Sequence, residues 1–134
     1  MPRHQRILVV DNSKYFDNSI WHRLIPESEF EIVGLTGNLD ETVTMTITLA
    51  PDVILVDLSH PQNCGLQTVS VLHSTHPDIP IITFMPISSY EYTRASLDAG
   101  ATACLTKSEM ADVLLQTLRG VTAAPQLVEA HLYS

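Results

Sequence analysis

Cysteine is scarce in this chain. Cys64 and Cys104 are the only two among 134 residues, and they fall in no CxxC or Cys/His cluster. That excludes a disulfide framework and a structural zinc site, and it suits a reducing compartment, the cytoplasm. Basic residues are also few, 7 Lys and Arg against 15 Asp and Glu, for a formal net charge of −8. Such a surface has no electrostatic footprint for a polyanion, so direct nucleic-acid binding by these residues is not expected. No apolar run approaches the ~20 residues of a membrane span. The basic opening MPRHQR is followed only by ILVV before Asp11, too short for the apolar region of a signal peptide. Glycine is rare too, and DNSKYFD, after the first apolar run, contains none. A Gly-rich phosphate loop is therefore absent, which argues against a dinucleotide-binding or P-loop enzyme and against a flavodoxin-like cofactor binder. His4, His22, His60, His73, His76 and His131 form no HExxH or close pair and read as surface residues. Ser13 and Ser59 have no partnering base, so a hydrolase triad has no support.

What is present is the composition of a single globular domain, 45% hydrophobic and 16% charged. Five short apolar runs stand out: RILVV (6–10), EIVGL (31–35), VILV (53–56), IITFM (81–85) and ACL (103–105). They are rich in Val and Ile and apolar at consecutive positions, as strands covered on both faces should be. Segments of helical period lie between them. Tyr15–Ile25 carries Phe16, Ile20, Trp21 and Leu24 on one face and ends at Pro26. Asp40–Leu49 follows Asn38, a good N-cap, but is rich in threonine. Leu66–His76 stops before Pro77, Tyr90–Ala99 ends at Gly100, and Ser108–Arg119 follows the last run. This alternation predicts an α/β fold, a parallel sheet with helices on both faces. The globular unit is read as residues 1–120, and 121–134, with Ala123-Ala124-Pro125, as a linker or tail.

Ligands of such sheets bind outside the carboxyl ends of the strands. The first run ends in Asp11-Asn12, the third in Asp57, the fourth in Met85-Pro86 with Ser88-Ser89 beyond, and the fifth in Thr106-Lys107. A lone Asp there often only starts a turn. Asp11, Asp57 and Lys107 together suit a hard cation beside a phosphate, since Mg²⁺ favours one or two carboxylates plus phosphate oxygens. The lysine would meet a phosphoryl oxygen, and a carboxylate can itself be the nucleophile.

The segments ILVVDNS, PDVILVDLSHPQNCGL, IPIITFM and AGATACLTK resemble the receiver domain of two-component response regulators, from residue 6 to about 119. The resemblance implies a flavodoxin-like (βα)5 fold with strand order 2-1-3-4-5. It implies that Asp57 accepts a phosphoryl group from a sensor histidine kinase or phosphotransfer protein and that Lys107 contacts that group. Mg²⁺ would be held by Asp57, Asp11 through water, Asn12 and the backbone carbonyl of Ser59. The domain would be no enzyme in its own right, only assisting its own phosphorylation and dephosphorylation. Pairing through the face around the fourth and fifth helices, giving a homodimer, is common in the family.

Three positions depart from the family. Asn12 replaces the second acid after strand one, and an amide oxygen brings no charge. A charge pair near 4 Å contributes roughly 4 kcal/mol at an effective dielectric of about 20, so metal binding would weaken by about one to two orders of magnitude. Met85 stands where a Thr or Ser reaches for the phosphoryl group, and a thioether cannot donate that bond. Cys104 stands where an aromatic residue belongs. The threonine–aromatic route is thus missing. An active but atypical receiver and a degenerate receiver serving as a phosphorylation-independent interaction module both stay open. His60, three residues past Asp57, is placed to alter local charge near pH 6.5. The tail TLRGVTAAPQLVEAHL resembles the joint to a helix-turn-helix DNA-binding domain in NarL/LuxR-type transcription regulators, with a solvated terminal helix as the alternative.

Overall fold

The computed structural model describes residues 5–11, 27, 29–58, 65–85 and 89–123, the side chains of 107–112 and 122–123 excepted. Strands β1 (Gln5–Val10), β2 (Phe30–Thr36), β3 (Val53–Asp57), β4 (Ile81–Met85) and β5 (Ala103–Thr106) form one parallel sheet in the order β2-β1-β3-β4-β5. The described helices are α1 (Leu39–Leu49), α2 (Gly65–Thr75), α3 (Tyr90–Ala99) and α4 (Lys107–Ala123). The segment 15–25, expected as a further helix, lies outside the described residues.

Strand side chains alternate between two faces, and here both faces are covered. Ile7, Val9, Val53, Leu55, Ile82, Phe84, Ala103 and Leu105 pack with Phe30 and with Leu114, Leu118 and Val121 of α4. Leu8, Val10, Ile54, Val56 and Ile81 pack on the other face with Val69 and Leu72 of α2. Each fully buried large aliphatic side chain contributes about 1.5–3 kcal/mol, which is why consecutive apolar residues hold these strands in the middle layer.

The threonine-rich α1 forms despite weak propensity because Thr42 and Thr46 are buried and Met45 and Leu49 pack on the core, and its hydroxyls bond back within the helix. Thr42 Oγ1 donates to the Asn38 carbonyl at 2.6 Å, Thr44 to Asp40 at 3.1 Å, Thr46 to Thr42 at 2.8 Å and Thr48 to Thr44 at 2.9 Å. Asn38 caps the start, its Oδ1 accepting from Glu41 N–H at 2.8 Å, and Asp40 and Glu41 complement the helix dipole. At the far end Arg6 Nη1 donates to the Leu49 carbonyl at 2.5 Å, while Arg6 N–H donates to Asp52 Oδ2 at 2.8 Å. One arginine thus closes α1 and positions the entry to β3.

Helix α4 runs on through Gly120 to Ala123, a turn past the expected end at Arg119. The reason is packing: Val121 is buried on the same stripe as Leu114 and Leu118. That burial outweighs the cost of about 1 kcal/mol for a glycine inside a helix. No helix among the described residues is long and apolar enough to cross a membrane.

Candidate functional site at the carboxyl edge of the sheet

Strand β1 stops at Val10, whose register partner on β3 is Val56, so Asp11 and Asp57 occupy the next level of two hydrogen-bonded strands. Neighbouring strands lie about 5 Å apart, which brings the two backbones side by side at the sheet edge. Asp57 is fully buried and Asp11 is 6% exposed. Backbone bonds hold both positions: Asp11 N–H donates to the Thr36 carbonyl at 2.8 Å, and Leu58 N–H donates to the Phe84 carbonyl at 2.8 Å. Apolar strand interiors below and these ties beside them fix the backbone at both positions.

On the other flank, Met85 ends β4 buried, opposite Thr106 of β5. Lys107 follows Thr106 as the first residue of α4. Its backbone stands at the same edge of the sheet as Asp57; its side chain is outside the described residues. Outside them too are Asn12, Ser59, His60, Cys64 and Ser88, as well as Ser13 and Trp21. Ser89 is described, and its hydroxyl caps α3, accepting from Tyr92 N–H at 3.3 Å. Cys104 lies half-buried in β5, with Thr83 as its register partner. Of the histidines, His73 is exposed and His76 half-buried.

Among the described residues, no group of three or more His, Cys, Asp and Glu side chains could hold a metal ion by itself. Asp11 and Asp57 are two carboxylates on adjacent strands, donors of the kind that hard divalent cations take alongside water and phosphate oxygens. The donor chemistry fits Mg²⁺, and a complete set needs the oxygens expected from Asn12 and Ser59.

One polar feature near this edge was not legible in the sequence. Thr83 and Ser96, both fully buried, place their hydroxyl oxygens 2.5 Å apart across the junction of β4 and α3. Thr83 reads as an ordinary β-branched strand residue, and nothing in the spacing signals its partner.

A five-stranded parallel sheet in the order 2-1-3-4-5 defines the flavodoxin-like class, whose ligands sit at this carboxyl edge. The family described as "response regulator receiver domain" matches residues 7–119, and the chain belongs to it: a signalling domain of two-component systems. It is similar to the response regulator GacA of Pseudomonas viridiflava, 27% identical over 127 residues, covering 95% of this chain and 59% of that protein. It is 34% identical over 109 residues to a protein-glutamate methylesterase/protein-glutamine glutaminase of Syntrophomonas wolfei, covering 80% of this chain and 30% of that protein. The chain thus spans less than two thirds of the length of these relatives. Among solved structures, the response regulator domain of Thermotoga maritima CheB matches with a TM-score of 0.78 at 24% identity, covering 90% of this chain and 97% of that one. A LuxR-family two-component response regulator from Aurantimonas matches with a TM-score of 0.77 at 20% identity, covering 90% and 86%. These likenesses show the same fold.

Proposed function

We propose that this receiver domain accepts a phosphoryl group on Asp57 from a histidine kinase or phosphotransfer protein. The observation that carries the proposal is the place of Asp57: fully buried, at the carboxyl end of a central strand, one level past a matched Val10–Val56 pair and so beside Asp11. In the reaction an Asp57 oxygen attacks phosphorus as the donor's P–N bond breaks, and the freed imidazole takes up a proton. Asp57, Asp11 through water, Asn12 and the Ser59 carbonyl would hold Mg²⁺, which when bound offsets the charge on the phosphoryl oxygens. Lys107 adds an ammonium for one of those oxygens. No other chemistry is needed, so the domain is a phosphoacceptor and not an enzyme with a substrate of its own.

The unit is read as residues 1–120 in the cytoplasm, extended by the last turn of α4, whose Val121 packs on its core, and the residues beyond to 134 serve as a linker or tail toward an attached or partner output domain. A longer relative, the transcriptional regulatory protein DegU of Brevibacillus brevis, supports a transcription-regulating output with a DNA-binding domain of its own. A homodimer through the α3–α4 side follows the family habit.

A second reading, an interaction module indifferent to phosphate, is favoured by one observation: buried Met85 carries no hydroxyl at the end of β4. One experiment separates the two. With Mg²⁺ and a small phosphodonor, mass spectrometry of the parent should show a gain of one phosphoryl group that Asp57→Asn lacks. No gain in the parent would sink the phosphoacceptor reading and leave the interaction module.

A further inference from the structure

Thr83 and Ser96 have no part in the chemistry above, yet their placement is unusual for buried hydroxyls. Serine and threonine inside regular structure ordinarily satisfy themselves locally, as the threonines of α1 do toward carbonyls four residues back. Here the two hydroxyls meet across an element boundary, 2.5 Å apart, and Thr83 Oγ1 also lies 3.4 Å from the Ala103 carbonyl, to which it donates. Ser96 is moreover the one buried residue of α3, whose Tyr90 and Tyr92 are 79% and 47% exposed. The deepest contact of this helix with the sheet is therefore polar. Around it the face is otherwise apolar or weakly polar: Val56 and Cys104 flank Thr83 in register, and Met85 comes two residues further along β4.

We propose that the Thr83–Ser96 pair bolts α3 to β4 and holds the helix in one position whatever the state of Asp57. The bolt itself follows from the geometry; its insulating role rests on the phosphoacceptor reading. Met85 cannot take up a hydrogen bond from the Asp57 side and pass it along β4, because a thioether has no donor. The hydroxyl that β4 does carry, Thr83, is already engaged with α3. A change at Asp57 then finds no donor on β4 free to move toward it, and the Tyr90–Tyr92 end of α3 stays as it is.

The test uses amide hydrogen exchange of the full chain, reading α3 against α2, which packs on the same sheet face through Val69 and Leu72 without the bolt. Thr83→Val leaves the buried Ser96 hydroxyl without its partner, and Ser96→Ala leaves Thr83 only its 3.4 Å bond to the Ala103 carbonyl, so in each variant α3 should exchange about five- to tenfold faster while α2 keeps its rates. Thr83→Ser keeps the hydroxyl and should keep the parent's rates. The double variant T83V/S96A removes the tie without leaving a lone hydroxyl, so α3 should exchange faster than in the parent but no faster than in either single variant, and parental rates in it overturn the bolt. Should Thr83→Val fail to fold, Ser96→Ala and Thr83→Ser still decide, since alanine favours a helix. Rates in α3 that simply follow α2 in Ser96→Ala overturn the bolt.

A second arm adds Mg²⁺ and beryllofluoride, a phosphoryl mimic, to the parent and to Ser96→Ala. With resonances near Asp57 shifting in both, α3 should keep its rates in the parent and change only in the variant. Equal changes in both overturn the insulating role. Absence of any shift near Asp57 overturns the phosphoacceptor reading and the insulating role with it, while the first arm still judges the bolt.

Discussion

A single methyl group separates glycine from alanine, and positions 34 and 100 would receive it very differently. At Gly34 an added Cβ would come 2.5 Å from Met45 Cε and 3.0 Å from Leu49 Cδ1, both at the ends of flexible side chains that can swing away. At Gly100 it would come 2.3 Å from His73 Cγ and 2.5 Å from His73 Cβ, atoms close to the α2 backbone, and φ is +119°. That conformation is costly for any residue with a Cβ. Gly100→Ala should therefore lose about 2–4 kcal/mol in urea unfolding, clash and backbone strain together. Adding His73→Ala removes Cγ but leaves the Cβ at 2.5 Å, so it should recover only about 1 kcal/mol of the loss. No recovery in the double variant would place the cost in the backbone and the remaining Cβ contact.

Helix α1 shows how one residue type acts oppositely on two faces of an element. Thr44 and Thr48 are exposed, and their internal hydroxyl bonds compensate only part of threonine's poor propensity. Thr44→Ala and Thr48→Ala should each stabilise by about 0.5 kcal/mol in chemical denaturation. Thr46, 1% exposed, should lose about 1–2 kcal/mol as alanine, because a buried methyl and a made hydrogen bond both vanish. Elements of this kind were readable in the sequence wherever a pattern repeated. The five apolar runs became the five strands, and α3 spans the same residues, 90–99, that the periodicity gave. The positions of Asp11, Asp57 and Lys107 at strand ends were readable for the same reason, since they follow from where the runs stop. Patterns fail where a single contact decides. Neither the Thr83–Ser96 pair nor the Arg6 bond to Leu49 leaves a period in the sequence, and α4 outran its expected end because Val121 finds the core.

Across the whole molecule, Arg119 on α4 reaches back to the residues before β2. Its Nε donates to Glu29 Oε1 at 3.1 Å and Oε2 at 3.2 Å, Glu27 Oε2 lies 3.7 Å from the guanidinium, and the Phe30 ring centroid is 5.9 Å away. The Arg119 hydrogen bonds hold the Glu29 carboxyl below the usual carboxylate range. A lowered folded pKa means stability present above the unfolded value, near 4.5, and lost as pH falls through the folded one. Glu29→Gln should accordingly melt below the parent at pH 7, with the difference closing in acid and shrinking in high salt because the pair is exposed. A difference that persists at pH 3 would assign the contact to packing.

The same helix has a consequence for the order in which the protein is made. Ile7, Val9, Val53 and Leu55 emerge early from the ribosome, yet the residues that roof them, Leu114, Leu118 and Val121, come last among the described elements. One side of the central layer stays bare until α4 has been made, so a nascent chain stalled before α4 would present that oily surface to chaperones or to its neighbours.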